Sequence, residues 1–391
     1  YAWAGIRMAF GFALLTIPMF ITAPHILKLL GHAPAIRELE TMYFRFMLAG
    51  IFLVSPMRVI EQFFYGIHKP MIVFFTALIG NAFNIGANYV LIYGKFGFPA
   101  MGLKGAAIGS LLSWALMLSL QAFIFLRPAY HAKFGTRYWR HKGKHLYGQI
   151  LRFGWPTGVQ FLNSMFCWTF FTCYLIGQLG PLYFEANAII MRFGEVTIMP
   201  IIGIGTATTA IVGRYIGLGR PDIARKRTHT AMIIALVYLV GAAALLIVFR
   251  YPMLRMFMLS EAAAQATNQP TGELMATAIS LMYLLFGFQL FDTVCIIYCH
   301  ALRGAGDTHF AMVAEGTLTW VFEIAGGYLM IRYFPQWGPA GPYGATAMYL
   351  LALAVLAGWR FERQRWRNID MFGRRNPTIV AEEPIQSEPG F

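Results

Sequence analysis

Charge is scarce in this sequence. Only 12% of its 391 residues are Asp, Glu, Lys or Arg, against about 25% in a soluble globular domain. Hydrophobic residues make up 58%, which excludes a soluble domain of ordinary composition and indicates a polytopic membrane protein. Cysteine is scarce too. Cys167, Cys173, Cys295 and Cys299 all fall inside apolar runs, so they read as small packing residues, which excludes a disulfide framework or a zinc site. Cys295 and Cys299 stand one helical turn apart beside His300, and a metal pair is the competing reading there. No HExxH, P-loop or nucleotide-binding fingerprint occurs, so ATP is not the direct driving force and no cofactor is indicated.

Long apolar runs are abundant. They fall at about 3–24, 42–65, 71–93, 102–126, 148–176, 186–217, 229–250, 274–301, 310–332 and 342–361. Each has the length of a membrane helix, so the predicted fold is an all-α integral membrane protein with about ten spans. Basic residues outnumber acidic ones, 31 to 17, and they are sorted by side. Arg127, Lys133, Arg137, Arg140, Lys142 and Lys144 follow the fourth run. Arg220, Arg225, Lys226 and Arg227 follow the sixth, Arg303 the eighth, and Arg360, Arg363, Arg365, Arg367, Arg374 and Arg375 the last. The positive-inside rule puts these loops and both chain ends in the cytoplasm. The excess is a topology signal and an anionic-lipid contact, which excludes a nucleic-acid partner.

An internal repeat divides the chain. Tyr89, Gly102, Gly105 and Ala106 match Tyr328, Gly341, Gly344 and Ala345 at one offset of 239. Parallel repeats are common in transporters, with the transported species bound between the halves. The expected organisation is an N-terminal lobe at 1–126, a basic cytoplasmic linker at 127–147, a second lobe at 148–362, and a basic, then disordered tail at 363–391. The first lobe has about four spans and the second about six, and the chain opens on Tyr1 rather than Met. Two N-terminal spans are therefore expected to be missing.

Asp292 is the residue that most needs a reason. It lies close to the middle of the apolar stretch Thr277 to Arg303, where a charged side chain costs roughly 2.5–3.5 kcal/mol on insertion scales. Apolar surroundings favour the protonated carboxyl group and a bound cation favours the carboxylate, so competition for one such group suffices for exchange. The reading is a coupling-ion carboxylate in a secondary transporter, with Gln289 one turn earlier as a second oxygen. The alternative is a structural Asp fixed to a basic residue.

Four stretches resemble the multidrug and toxic compound extrusion (MATE) transporters. They are Asn88-Tyr89 through Gly105-Ala106-Ala107, Phe153-Gly154-Trp155-Pro156 with Gly180-Pro181, Val212-Gly213-Arg214 through Gly217-Leu218-Gly219-Arg220-Pro221-Asp222, and Phe291-Asp292 with Leu302-Arg303-Gly304 through Asp307-Thr308. The likeness covers residues 1 to about 362, as spans three to twelve of that family. It implies two six-helix lobes related by pseudo-two-fold symmetry in a V, and export of organic cations coupled to inward Na⁺ or H⁺. It also implies that Asp292 matches the acidic residue of the tenth family helix. Many members carry a further carboxylate where this chain has Ser164, preceded by Asn163. Hydroxyl and amide oxygens ligate a hard cation weakly and bring no negative charge.

The remaining polar residues of the spans have two readings each. Glu185, Arg192 and Glu195 share one helical face. Arg192 and Glu195 are expected to pair with each other or with Asp292, and the alternative is a cavity-lining cation site. Glu315 and Glu323 share a face, Glu315 nearer the cytoplasm. Arg45, Arg58 and Glu61 lie on the second run, with Arg58 and Glu61 forming a pair. Trp168, Phe171, Tyr174 and Tyr298 are candidate cation–π contacts for cargo, against a plain packing role. Gly304-Ala-Gly306-Asp307 matches the GxGD string of intramembrane aspartyl proteases, but it follows Arg303 in a cytoplasmic turn, where Gly and Asp are ordinary turn formers. The reading that follows is a monomeric exporter in the cytoplasmic membrane, not an enzyme, that takes small cationic or amphiphilic molecules. A flippase for lipid-linked precursors is the second reading, and an intramembrane enzyme the third.

Overall fold

The computed structural model describes residues 1–28, 34–139, 144–262 and 271–368. Among them there is no strand, and nine helices are long and apolar enough to cross a membrane. The helices are α1 (Ala2–Leu14), α2 (Ile17–Lys28), α3 (Pro34–Gly66), α4 (Pro70–Tyr93), α5 (Leu103–Phe125), α6 (Pro128–Phe134), α7 (Lys144–Phe170) and α8 (Pro181–Gly217). They continue as α9 (Pro221–Val248), α10 (Arg250–Ala262), α11 (Thr271–Gly304), α12 (Thr308–Leu318), α13 (Gly327–Tyr333) and α14 (Ala340–Glu362). A π-helical stretch, Thr319–Gly326, joins α12 to α13 in one rod that occupies the expected ninth run. A second, Phe171–Ile176, extends α7.

Local chemistry sets many of these boundaries. Pro70, Pro128, Pro181 and Pro221 each open a helix, where a missing N–H costs nothing. Gly94 and Gly135 close helices in the left-handed conformation. The stretch between the seventh and eighth apolar runs contains α10, and the basic stretch at 127–147 contains α6. Arg140 and Lys142 of that stretch, and the tail from 369 onward with Arg374 and Arg375, lie outside the described residues.

The chain forms two compact units, Tyr1–Arg152 and Phe153–Phe391. The division falls inside α7, slightly later than the expected seam. The first turns of α7 are held by the first unit: the Tyr1 hydroxyl donates to Gln149 Oε1 at 2.6 Å, and the Arg7 guanidinium lies over the Tyr147 ring. The first unit packs around Ile60, Phe64, Val73 and Phe125. The second has the larger core, built on Phe171, Leu175, Ile189, Leu281, Leu285, Phe288, Tyr343 and Leu353.

The repeat is present but its register shifts partway. A Cβ on Gly105 would meet the Leu91 carbonyl oxygen at 2.6 Å, and one on Gly341 would meet Met330 Cβ at 3.1 Å. Leu91 and Met330 are 239 apart, whereas Gly105 and Gly341 are 236 apart. The buried set of α5 (Gly105, Ala107, Gly109, Ser113, Gln121, Phe125) falls on buried positions of α14 (Gly341, Tyr343, Ala345, Tyr349, Ala357, Phe361) at that same 236. The cause is the connection, nine residues at 94–102 and six at 334–339. The single offset of 239 is thus corrected for the second helix of the pair. A slip of three residues is close to one helical turn, so the small residues keep their face in either register.

In the second unit α11 lies between α8 and α14. It crosses α8 closely at Gly304, where a Cβ would sit 2.5 Å from the Thr209 carbonyl oxygen. The Thr209 hydroxyl donates to the His300 carbonyl oxygen at 2.9 Å beside that crossing. Small residues that let helix backbones approach are the usual basis of membrane helix packing. Because the obstruction is main chain, Gly304→Ala is expected to destabilise the purified protein by about 1–3 kcal/mol. A thermal melt in detergent, with an unchanged midpoint as the contrary result, checks this.

Candidate functional site

The acidic residues of the second unit lie on two neighbouring rods. Asp292 is half-buried on α11, twelve residues before its end at Gly304, or about 18 Å along the axis. Glu315 on α12 and Glu323 in the π-helical stretch are both buried, at 7% and 4% exposure. The three are close enough for each charge to act on the others. They do not share one ligation shell: among the described residues no three Asp, Glu, His or Cys side chains converge as a metal site.

Their surroundings differ sharply. Glu315 is fully engaged. Ser164 Oγ donates to its Oε1 at 2.5 Å, and Gln160 Nε2 donates to its Oε2. Arg303 Nη2 in turn donates to Gln160 Oε1 at 3.3 Å, which places a guanidinium behind the pair. Asp292 and Glu323 receive no hydrogen bond and form no ion pair among the described residues. Asn163, next to Ser164, accepts a hydrogen bond from Trp320 Nε1 at 2.9 Å, while its own buried Nδ2 donates to nothing. Ser164, at the position where the resemblance implies a carboxylate, therefore touches a carboxylate supplied from a different helix.

Several expected roles are reassigned by these contacts. Gln289 is buried with its amide already spent: Thr197 Oγ1 donates to its Oε1 at 3.0 Å, and its Nε2 donates to the Gly194 carbonyl at 3.3 Å. It staples α11 to α8 rather than offering an oxygen beside Asp292. Arg192 and Glu195 are exposed on α8 and form no ion pair with each other or with Asp292, and Glu185 is half-buried with no ion pair among the described residues. Exposed pairs three residues apart gain little, so nothing holds those two side chains together. Phe171 is fully buried against Tyr343, with ring centroids 5.4 Å apart. Tyr298 packs on Phe361 and over Gly358. Both are core residues. Trp168 stacks on Phe171 and Tyr174 on Phe170, so the four candidates do not line one pocket. Cys295 and Cys299 are buried thiols, and His300 Nδ1 contacts the Thr209 hydroxyl instead of joining them.

The pair Arg58–Glu61 is formed at 2.9 Å in the first unit, and Gln121 Nε2 reaches both Glu61 and the Thr76 hydroxyl. That unit also has an open pocket of about 810 Å³ whose lining includes Phe20, Arg37, Glu38, Met42, Arg45 and Phe46. The second unit carries a rim of ion pairs at the end of α14. Arg360 pairs with the buried Asp307 of the GxGD-like turn at 2.7 Å, and Arg225 and His229 both pair with Glu362. Sequence reading missed Gln160 and took Arg303 for a topology mark alone. The spacing of Gln160 and Ser164, one turn apart on α7, was the available signal.

An all-helical, two-unit membrane protein with isolated carboxyl groups inside its spans has the design of a secondary transporter. Comparison with known proteins narrows this. A family model for MatE matches residues 1–90 and 156–329. The probable multidrug resistance protein NorM of Rhizobium meliloti (strain 1021) is 25% identical over 370 residues, covering 92% of this chain and 75% of the relative. That of Brucella suis biovar 1 (strain 1330) is 27% identical over 365 residues, covering 90% and 71%. Among solved structures, a MATE in complex with MaL6 superposes with a TM-score of 0.81 at 19% identity, covering 93% of this chain and 78% of that one. An outward-facing multidrug resistance MATE family transporter of the MOP superfamily gives 0.79 at 20% identity, with the same coverage. The chain belongs to the MatE family and is a membrane transporter, not an enzyme.

The Ser164–Glu315 bond generates a prediction. A hydrogen bond to a charged acceptor contributes about 1.5–3 kcal/mol, so Ser164→Ala is expected to lower stability by that order. Glu315→Gln should remove most of the penalty when combined with it. A double-mutant cycle on thermal or denaturant unfolding in detergent, showing less than about 0.5 kcal/mol of coupling, would count against the contact.

Proposed function

We propose that this protein is a multidrug exporter of the cytoplasmic membrane, with both ends of the chain cytoplasmic, that expels organic cations and amphiphiles in exchange for inward Na⁺ or H⁺. Asp292 is the coupling carboxylate. The observation that carries this reading is its isolation: a half-buried acid inside a membrane-length helix, with no hydrogen bond or ion pair among the described residues. Leaving a charge unpaired in apolar surroundings costs several kcal/mol, so a group kept there needs a mobile partner. The family assignment and the names of the NorM relatives support multidrug substrates.

The cycle follows from linkage. A ligand shifts a two-state equilibrium only by its differential affinity for the two states, so the coupling cation and the cargo must favour opposite-facing states. Competition for one negative charge supplies that difference. When Asp292 is neutralised by the inward-moving cation, a cationic cargo loses its counter-charge and is released. When the cation leaves to the cytoplasm, the carboxylate is available again. One charge crossing a potential of 100 mV adds about 2.3 kcal/mol of driving force.

Asp292→Asn keeps the shape and removes the charge. It is expected to insert normally and to abolish ethidium efflux driven by a cation gradient in proteoliposomes. Undiminished, gradient-dependent efflux from that variant refutes the assignment.

A further inference from the structure

We propose that the coupling ion is a hydron and that two carboxyl groups carry it, Asp292 and Glu323, while Glu315 stays tied by hydrogen bonds to Gln160 and Ser164. This deepens the coupling role given above to Asp292 and rests on it. Glu323 is the key observation. Its side chain is 4% exposed, yet no described residue donates a hydrogen bond to it and no basic residue pairs with it. The charged or titratable groups within its electrostatic reach are Asp292 on α11, Glu315 on its own rod, Cys167 on α7 and Tyr349 on α14. None of them is a cation. A buried carboxyl group so placed is stable only when it carries a hydron or another positive guest.

The fold does not require an acid at either position. The first unit repeats the same rod at an offset of 239, and there Thr76 stands for Glu315 and Asn84 for Glu323. Thr76 accepts from Gln121 at 3.1 Å and Asn84 accepts from Asn88 at 3.1 Å, so neutral groups satisfy the same packing. Acids at these two positions thus belong to the second unit and not to the first. The buried Nδ2 of Asn163, which has no acceptor, lies in the same seam, since its carbonyl is bonded to Trp320 three residues before Glu323.

The two carboxyl groups are separate sites: among the described residues no three Asp, Glu, His or Cys side chains converge on one point. A hydron needs only one oxygen at a time. Counted from the cytoplasmic ends of α11 and α12, Glu315 lies about 10 Å deep, Asp292 about 18 Å and Glu323 about 22 Å. Glu315 already accepts from Gln160 and Ser164, with Arg303 behind Gln160. In each cycle Asp292 and Glu323 each take one hydron from the outer water and release it as hydronium to the cytoplasm, and one cargo cation leaves in return.

The test is the static-head distribution of ethidium in proteoliposomes of the purified chain, with a pH gradient imposed and the membrane potential clamped to zero. The logarithm of the ethidium ratio is expected to rise with slope 2 against the pH difference, and with slope 1 in Glu323→Gln. Glu323→Asp is expected to restore slope 2, which separates a folding defect from loss of the group. As a second readout, hydron release on ethidium binding in detergent should fall by one in Glu323→Gln. A wild-type slope of 1, an unaltered slope in Glu323→Gln, or a distribution that follows Na⁺ at fixed pH difference overturns the proposal. Loss of coupling confined to Asp292→Asn leaves the exporter reading standing and sinks only the second carrier. Undiminished coupling in Asp292→Asn sinks the first.

Discussion

The architecture is governed by the cost of keeping a carboxylate away from water without a permanent counter-charge. The second unit contains three such groups within reach of one another and treats them unequally. Glu315 receives two donors and the neighbourhood of a guanidinium. Asp292 and Glu323 receive neither. That asymmetry divides the site into a part that is electrostatically complete and a part that is not. Only the incomplete part can respond to an arriving cation, because a group already satisfied has little to gain.

Holding such a site open needs a stiff frame. The frame is the contact of α11 with α8 and α14, made from small residues and amide staples. Gln289 with Thr197 and Gly194 ties the deep part of α11, while Thr209 with His300 ties its cytoplasmic part. Asp292 lies between the two ties. At the rim, Asp307 with Arg360 fixes the turn after α11 to the end of α14, and Glu362 with Arg225 and His229 ties α9 to that same end. The basic excess seen in the composition is thus partly consumed inside the second unit. Arg303 is the clearest case, since one side chain marks the cytoplasmic side and also backs the Glu315 network.

Much of this was legible in the residues alone. Long apolar runs are strong signals because the bilayer permits few alternatives, and they led to the helical fold, while the family came from the four stretches that resemble MATE transporters. Asp292 stood out for the same reason. What could not be read was which polar atoms meet across helices. Gln289 and Asp292 are three apart and looked like one site, but rotation of α11 sends Gln289 into α8. Arg192 and Glu195 have pairing spacing yet are exposed and do not pair with each other. The repeat misled in its second helix because a shortened connection shifts the register by almost a full turn, a change that preserves the pattern of small residues while moving every contact.

The π-helical stretch around Glu323 has a further implication. A π-turn holds one residue more than an α-turn, so it is a single-residue insertion accommodated within a helix. Removing one residue between Thr319 and Gly326 would let the rod close into an unbroken α-helix and would turn everything on one side of the deletion by roughly 100° relative to the other. Glu315 and Glu323, both within electrostatic reach of Asp292, would be rotated apart by that angle.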